Sequence, residues 1–207
     1  MKLIIEVNLN EKEIKDFDDK VKEIENRSYP SQSKRIYEDY GIDGSTFRAY
    51  RNFDKPSQKY REHAKLIAEQ LYTAEFKSIK SQMEFDIWHE RFVESFSSEF
   101  DDKLTFSQKM KLTDLFFKWA FQNERFESST RDVIYKYAYC ALDSVILKKM
   151  NLFYNNMFPM GKNISMGDIK DKITYQFCQK LIDSVVAECN TTRIIFDIWA
   201  WEYRTTD

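Results

Sequence analysis

The chain has 207 residues, of which 32 are Lys or Arg and 34 Asp or Glu, giving a formal charge of −2. Only four glycines and three prolines are present, against 32% charged and 16% aromatic residues. That balance excludes collagen-like, low-complexity and disordered chains and predicts a mostly helical protein with few tight turns and a substantial core.

The near-neutral charge gives no overall case for polyanion binding, although a local basic patch is what such binding needs. Cys140, Cys178 and Cys189 are odd in number and widely spaced. They form neither a disulfide framework nor a four-cysteine cluster, and His63 and His89 lack ligand spacing. No metal and no cofactor are therefore expected. The opening MKLIIEVNLN is too short in its apolar run to span a membrane and lacks a signal-peptide layout, so a soluble, cytoplasmic protein is expected.

Residues 3–7 read as a short strand or an extended start. Asn10 with Glu13 predicts a capping box and a charged helix to about Asn26. Residues 28–57 collect Pro30, Gly41, Gly44 and Pro56 and read as a looped region with short helical turns. One long helix is predicted over residues 57–82 and another over 84–96, followed by a polar connection to Phe106. Thr105 with Gln108 forms a second capping box, opening a helix with the sequence FSQKMKLTDLFFKWAF. Residues 129–150 are helical in pattern with a break near Asp143, residues 151–167 are the longest irregular stretch, and helices follow over 168–189 and 192–203. The expected fold class is all-α, with seven to nine helices. Residues 1–83 read as an N-terminal helical region and residues 84–207 as the helical core, the two forming one compact unit.

Lys109 stands out by its position. At about 100° per residue, Lys111, Asp114 and Lys118 share one polar arc, whereas Lys109 points away from it, onto the face of Leu112, Thr113, Phe116 and Ala120. Such a lysine either snorkels to water along its stem or is held for its amine, because desolvation favours the neutral, nucleophilic nitrogen. Asp143, in YCALDSVILKKM, suits a helix cap, and it equally suits a catalytic carboxylate at a helix start.

These residues carry a resemblance. FSQKMKLTDLFFKWAF, with Gln108 and Lys109 as a Gln-Lys pair, is similar to the catalytic-lysine motif of the helix–hairpin–helix DNA glycosylases, especially the archaeal 8-oxoguanine glycosylases. ALDSVILKKM is similar to their second motif, with Asp143 in the place of the essential aspartate, and FDIWAWE resembles their closing Asp-hydrophobic-Trp helix. The resemblance covers residues 84–201. In size and organisation the chain also resembles a bacterial group of phage-defence glycosylases that excise glucosylated hydroxymethylcytosine from viral DNA. It departs at the hairpin: SSEFDDKLTF has no glycine, and Glu99, Asp101 and Asp102 repel phosphate. The hairpin is thus degenerate, or backbone contacts come from Lys103 and the helix N-terminus.

The resemblance implies Lys109 and Asp143 as the catalytic pair and double-stranded DNA, specifically phage DNA with modified bases, as the partner. A carboxylate stabilises the positive charge that builds on the sugar as the base departs, and a neutral lysine attacks C1′ or positions a water. The base has to be flipped into a pocket, for which Gln108 and the loop residues Phe153, Tyr154, Asn155 and Asn156 are candidates. Arg35, Arg48, Arg51, Lys55, Lys59 and Arg61 interleave with Tyr37, Tyr40, Phe47, Tyr50, Phe53 and Tyr60. That pattern suits phosphate contact and base stacking, or a surface whose aromatics pack inward and whose charges are solvated. The competing function class is a non-enzymatic helical interaction module of a phage or defence system, in which Lys109 snorkels and Asp143 only caps.

Overall fold

Polar caps set most of the helix starts in this computed structural model, which describes residues 8–27, 40–42, 46–158 and 164–204. Helix α1 (Glu11–Glu25) begins at Asn10, whose side chain accepts from the backbone N–H groups of Lys12 and Glu13, and it buries Phe17, Val21 and Ile24 at helical spacing. A 3₁₀ turn (Thr46–Tyr50) precedes α2 (Pro56–Gln70).

The single helix predicted over residues 57–82 is not formed. Helix α2 stops at Gln70, and a one-turn α3 (Ala74–Lys77) starts where the Thr73 hydroxyl accepts from Phe76 N–H. Helix α4 (Gln82–Glu99) then starts at a reciprocal capping box of Ser81 and Glu84. Two local side-chain caps outcompete continuation of one helix through an apolar-periodic stretch.

The predicted box of Thr105 and Gln108 opens α5 (Phe106–Phe121). Then come α6 (Ser128–Tyr137), α7 (Ser144–Phe153), a 3₁₀ turn (Met166–Asp168), α8 (Lys172–Glu188) and α9 (Arg193–Glu202). The described residues contain nine α-helices and no strand, so the all-α expectation holds. None of these helices is long and apolar enough to cross a membrane. The short strand or extended start expected over residues 3–7 lies outside the described residues.

Helix α5 is the axis of the fold. Leu112, Thr113, Asp114, Phe116, Phe117, Trp119 and Ala120 are all buried and cover well over half of its circumference, and Lys111, Leu115 and Lys118 on the remaining arc are half-buried. A helix enclosed on nearly every side is a core helix. Phe85, Phe92 and Phe96 of α4 pack on Phe116 and Phe117, at centroid separations of 5.0 to 6.2 Å. On the far side, Phe17 of α1 meets Phe153, Phe196 and Trp199 at 6.1, 5.6 and 5.0 Å, which ties the N-terminal helix to α7 and α9. Gly41 has φ +81°, and a Cβ there would stand 2.4 Å from Trp119 Cβ, so only glycine lets the incoming chain touch α5.

Candidate active site

Between α6 and α7 the chain runs extended through the core, and this short segment builds the site. A buried extended segment without a sheet must find partners for its backbone groups elsewhere. Here they come from side chains of α4, α8 and α9. Tyr137 C=O accepts from Gln82 and Arg193. Gln179 accepts from Cys140 N–H at 3.1 Å and donates to Cys140 C=O at 2.8 Å. Asp197 Oδ2 accepts from Ala141 N–H at 2.7 Å, while its Oδ1 pairs with Lys118 of α5. Asp197 is fully buried, so this pair fixes the segment in a place where an unpaired carboxylate would be costly.

Asp143 closes the segment and caps α7. Its Oδ1 accepts from Val145 N–H at 2.9 Å and Ile146 N–H at 3.1 Å. The second oxygen, Oδ2, lies 3.9 Å from Lys111 Nζ of α5. Burial raises the Asp143 carboxyl above its ordinary range, and Asp197 nearby adds to this; Lys111 and the Ile146 N–H partly offset it.

Lys109 is not brought to Asp143. It makes no ion pair with that carboxylate and lines a separate cleft between α4, α5 and α8. The amine beside Asp143 belongs instead to Lys111, on the arc that read as merely polar. The missed signal is the stripe of Ser107, Lys111, Asp114 and Lys118: it runs along a helix that is apolar on both flanks, and polar groups placed that way are enclosed rather than solvated.

Asp114 anchors a second buried network. His89 Nε2 lies 2.8 Å from its Oδ1, and Tyr175 donates to its Oδ2 at 2.9 Å. Complete burial raises the Asp114 carboxyl; His89 and the Tyr175 bond pull the other way. His89 and Tyr175 form part of the wall of the cleft that holds Lys109, a space of about 450 Å³.

The remaining predicted residues fall into three groups. Gln108 spends its amide on structure: Oε1 accepts from Thr105 N–H and Nε2 donates to Ala49 C=O at 2.8 Å. Phe153 lies inside α7 rather than in a loop and is fully buried, and Tyr154 is buried with its hydroxyl donating to Leu181 C=O at 2.7 Å. Asn155 and Asn156 are exposed in left-handed turn positions, φ 53° and 57°, with Asn155 donating to Asn8 C=O. None of these five lines the small cavity beside Lys111.

Among the predicted basic residues, Arg48, Arg51, Lys55 and Lys103 are exposed, Lys59 and Arg61 are half-buried, and Arg35 lies outside the described residues. Their interleaved aromatics pack inward: Tyr50 and Tyr60 are fully buried, and Phe47 and Phe53 rest on the core. Tyr50 donates to Gln108 C=O at 3.1 Å, which with the Gln108–Ala49 bond clamps the turn carrying Arg48 onto the first turn of α5. Phe53 packs on Phe100 at 5.3 Å, so Arg51 and Lys103 flank the same α4–α5 connection. In that connection Asp101 and Asp102 adopt left-handed φ values of 55° and 53° and are exposed.

The site therefore offers a buried carboxylate with one oxygen fixed by N–H groups of α7, an amine of α5 3.9 Å from the other oxygen, and exposed cations around the start of α5. Comparison of the chain with protein-family models, with curated proteins and with solved structures finds no match.

Proposed function

We propose that the chain is a DNA glycosylase that releases a modified base and leaves an abasic site, with Asp143 and Lys111 as the catalytic pair. The observation that carries this reading is the 3.9 Å approach of Lys111 Nζ to Asp143 Oδ2 at the N-terminus of α7. Asp143 with one oxygen held by Val145 and Ile146 keeps the other available to stabilise positive charge on the deoxyribose as the glycosidic bond breaks. Lys111, once neutral, attacks C1′ while the bonding electrons leave with the base, or it holds the water that does so. The first route gives a Schiff base and strand cleavage, the second an abasic site alone.

Phosphate contact is assigned to Arg48, Arg51, Lys55 and Lys103, whose exposed charges sit on or beside the α4–α5 connection and the turn bound to α5. Glucosylated hydroxymethylcytosine of phage DNA is the proposed substrate base, on the strength of the resemblance in size and organisation. A second reading, a non-enzymatic interaction module, is favoured by one feature: exposed Asp101 and Asp102 place negative charge where a DNA backbone would pass.

The deciding experiment treats two DNAs, one ordinary and one carrying glucosylated hydroxymethylcytosine, with purified protein and an aldehyde-reactive probe. The glycosylase reading expects abasic sites on the modified DNA only. Abasic sites on neither of these DNAs, nor on a panel of damaged bases, would leave the interaction module as the account.

A further inference from the structure

Helix α8 lends Tyr175 and Gln176 to the cleft that holds Lys109, and lends Phe177, Leu181, Ser184 and Glu188 to a larger groove of about 870 Å³ shared with α1. On α1 the groove is bordered by Glu11, Ile14, Lys15 and Asp18. Both sets keep the three- and four-residue spacing of a single helix face. Two helix stripes therefore wall the groove, and Phe177 to Glu188 spans three turns, about 16 Å at 1.5 Å per residue.

The two ends of the groove differ. At one end Asn155 donates to Asn8 C=O and Tyr154 donates to Leu181 C=O, and the lining there is apolar, with Leu9, Met157, Phe158 and Phe177. Met157 and Phe177 are 58% and 51% exposed, and Phe177 meets Phe158 edge-on at 6.0 Å. Large apolar side chains gathered in one exposed groove, rather than scattered singly, mark a contact surface. At the other end the Cys189 thiol donates to Ile14 C=O at 3.8 Å and joins the end of α8 to α1. Burial pushes that thiol above its ordinary range, and the Asp18 and Glu188 carboxylates beside it push it further. Both carboxylates are exposed.

We propose that this groove docks a basic amphipathic helix of another protein, its apolar residues against Phe158 and Phe177 and its Lys or Arg residues against Asp18 and Glu188. Glu11, Asp18 and Glu188 face a single cation, Lys15, so the groove favours a basic partner over an acidic one. The described residues contain no strand, so an incoming segment finds no sheet edge to pair with. Its backbone groups must then bond within the segment itself, which a helix achieves. Helix-in-groove recognition sets apolar anchors at i, i+3 or i+4, and i+7, a span that three turns of groove accommodate. The groove shares no lining residue with the Lys111–Asp143 pair, so this docking holds whether or not the chain releases a base.

The test titrates the full chain, in the absence of DNA, with two fluorescent peptides of about four helical turns. One carries leucines at helix-anchor spacing with arginines beside them, and the other has glutamate in place of each arginine. The proposal predicts that the arginine peptide binds at least about tenfold more tightly, gains helicity on binding, and weakens as salt screens the exposed charges. Phe177→Ser should weaken it by about tenfold or more. The double change Asp18→Arg with Glu188→Arg should reverse the preference toward the glutamate peptide. All three positions are exposed, so the variants are expected to fold. The proposal is overturned by no binding of either peptide, by equal binding of both, by a preference unchanged in the double variant, or by binding unaffected in Phe177→Ser. Sedimentation of the free chain supplies the last outcome: a dimer that Phe177→Ser dissociates would assign the groove to a second copy and overturn the proposal.

Discussion

Lys111 and Asp143 approach to 3.9 Å from different helices, and each is held by a separate piece of the core. Lys111 sits on α5, which α4 packs across, while Asp143 ends an extended segment clamped by Gln179 and Asp197. The pair is thus a product of tertiary packing.

Asp143→Asn separates chemistry from capping. Asparagine caps helices about as well as aspartate, so the change should cost well under about 1 kcal/mol of stability while abolishing base release. Asp143→Ala should lose the cap as well, about 1 kcal/mol, readable as a lower urea midpoint. An Asn variant that is destabilised yet fully active would reduce Asp143 to a cap.

The pH dependence has a definite sign. Burial raises the Asp143 carboxyl above its ordinary value of 3.8, so the folded state binds this proton more tightly than the unfolded chain. Its contribution to stability is complete below 3.8 and is lost as pH rises through the folded value. Base release, which needs the ionised form, should therefore fall on the acid side at a pH above the usual carboxylate range. Because Lys111 opposes the rise, Lys111→Met should push the Asp143 carboxyl further up, as read by a carbon-detected NMR titration of that side chain rather than by activity. A titration left in place would show that Lys111 does not act on Asp143.

The basic surface predicts a salt effect. Replacing Arg48 and Arg51 by Ala should weaken DNA binding and reduce the slope of log K against log salt by roughly one per lost phosphate contact. An unchanged slope would remove this turn from the DNA interface.

The aromatic cluster around Phe17 predicts a core effect. Phe17 is fully buried against Phe153, Phe196 and Trp199, so Phe17→Ala should cost about 3–5 kcal/mol in denaturant unfolding. A loss under about 1 kcal/mol would mean that α1 is not integral to the core.

Much of the fold was legible because its signals are local. Thr105 with Gln108 and Asp143 before Ser144 mark helix starts by side-chain chemistry that acts within one turn, and both hold. The same chemistry acts at Thr73 and Ser81, where the apolar period runs on through two caps and hides the break. The site was less legible because it depends on what surrounds a helix. In the sequence Lys109 is a cation on an apolar face, whereas Lys111 shares an ordinary polar arc with Asp114 and Lys118. Only the packing of α5 on nearly all sides turns that polar arc inward, toward Asp143, His89 and Asp197. Likewise Phe153 and Tyr154 read as loop residues because the end of α7 is followed by an irregular stretch, yet their side chains complete the core.

The central claim is tested most directly by comparing four proteins, the parent chain and its Asp143→Asn, Lys111→Ala and Lys109→Ala variants, for abasic-site formation on glucosylated DNA under single-turnover conditions. The account predicts release by the parent and by Lys109→Ala, and a loss of at least about a hundredfold in Asp143→Asn and Lys111→Ala. Release that survives Lys111→Ala but disappears in Lys109→Ala would contradict it.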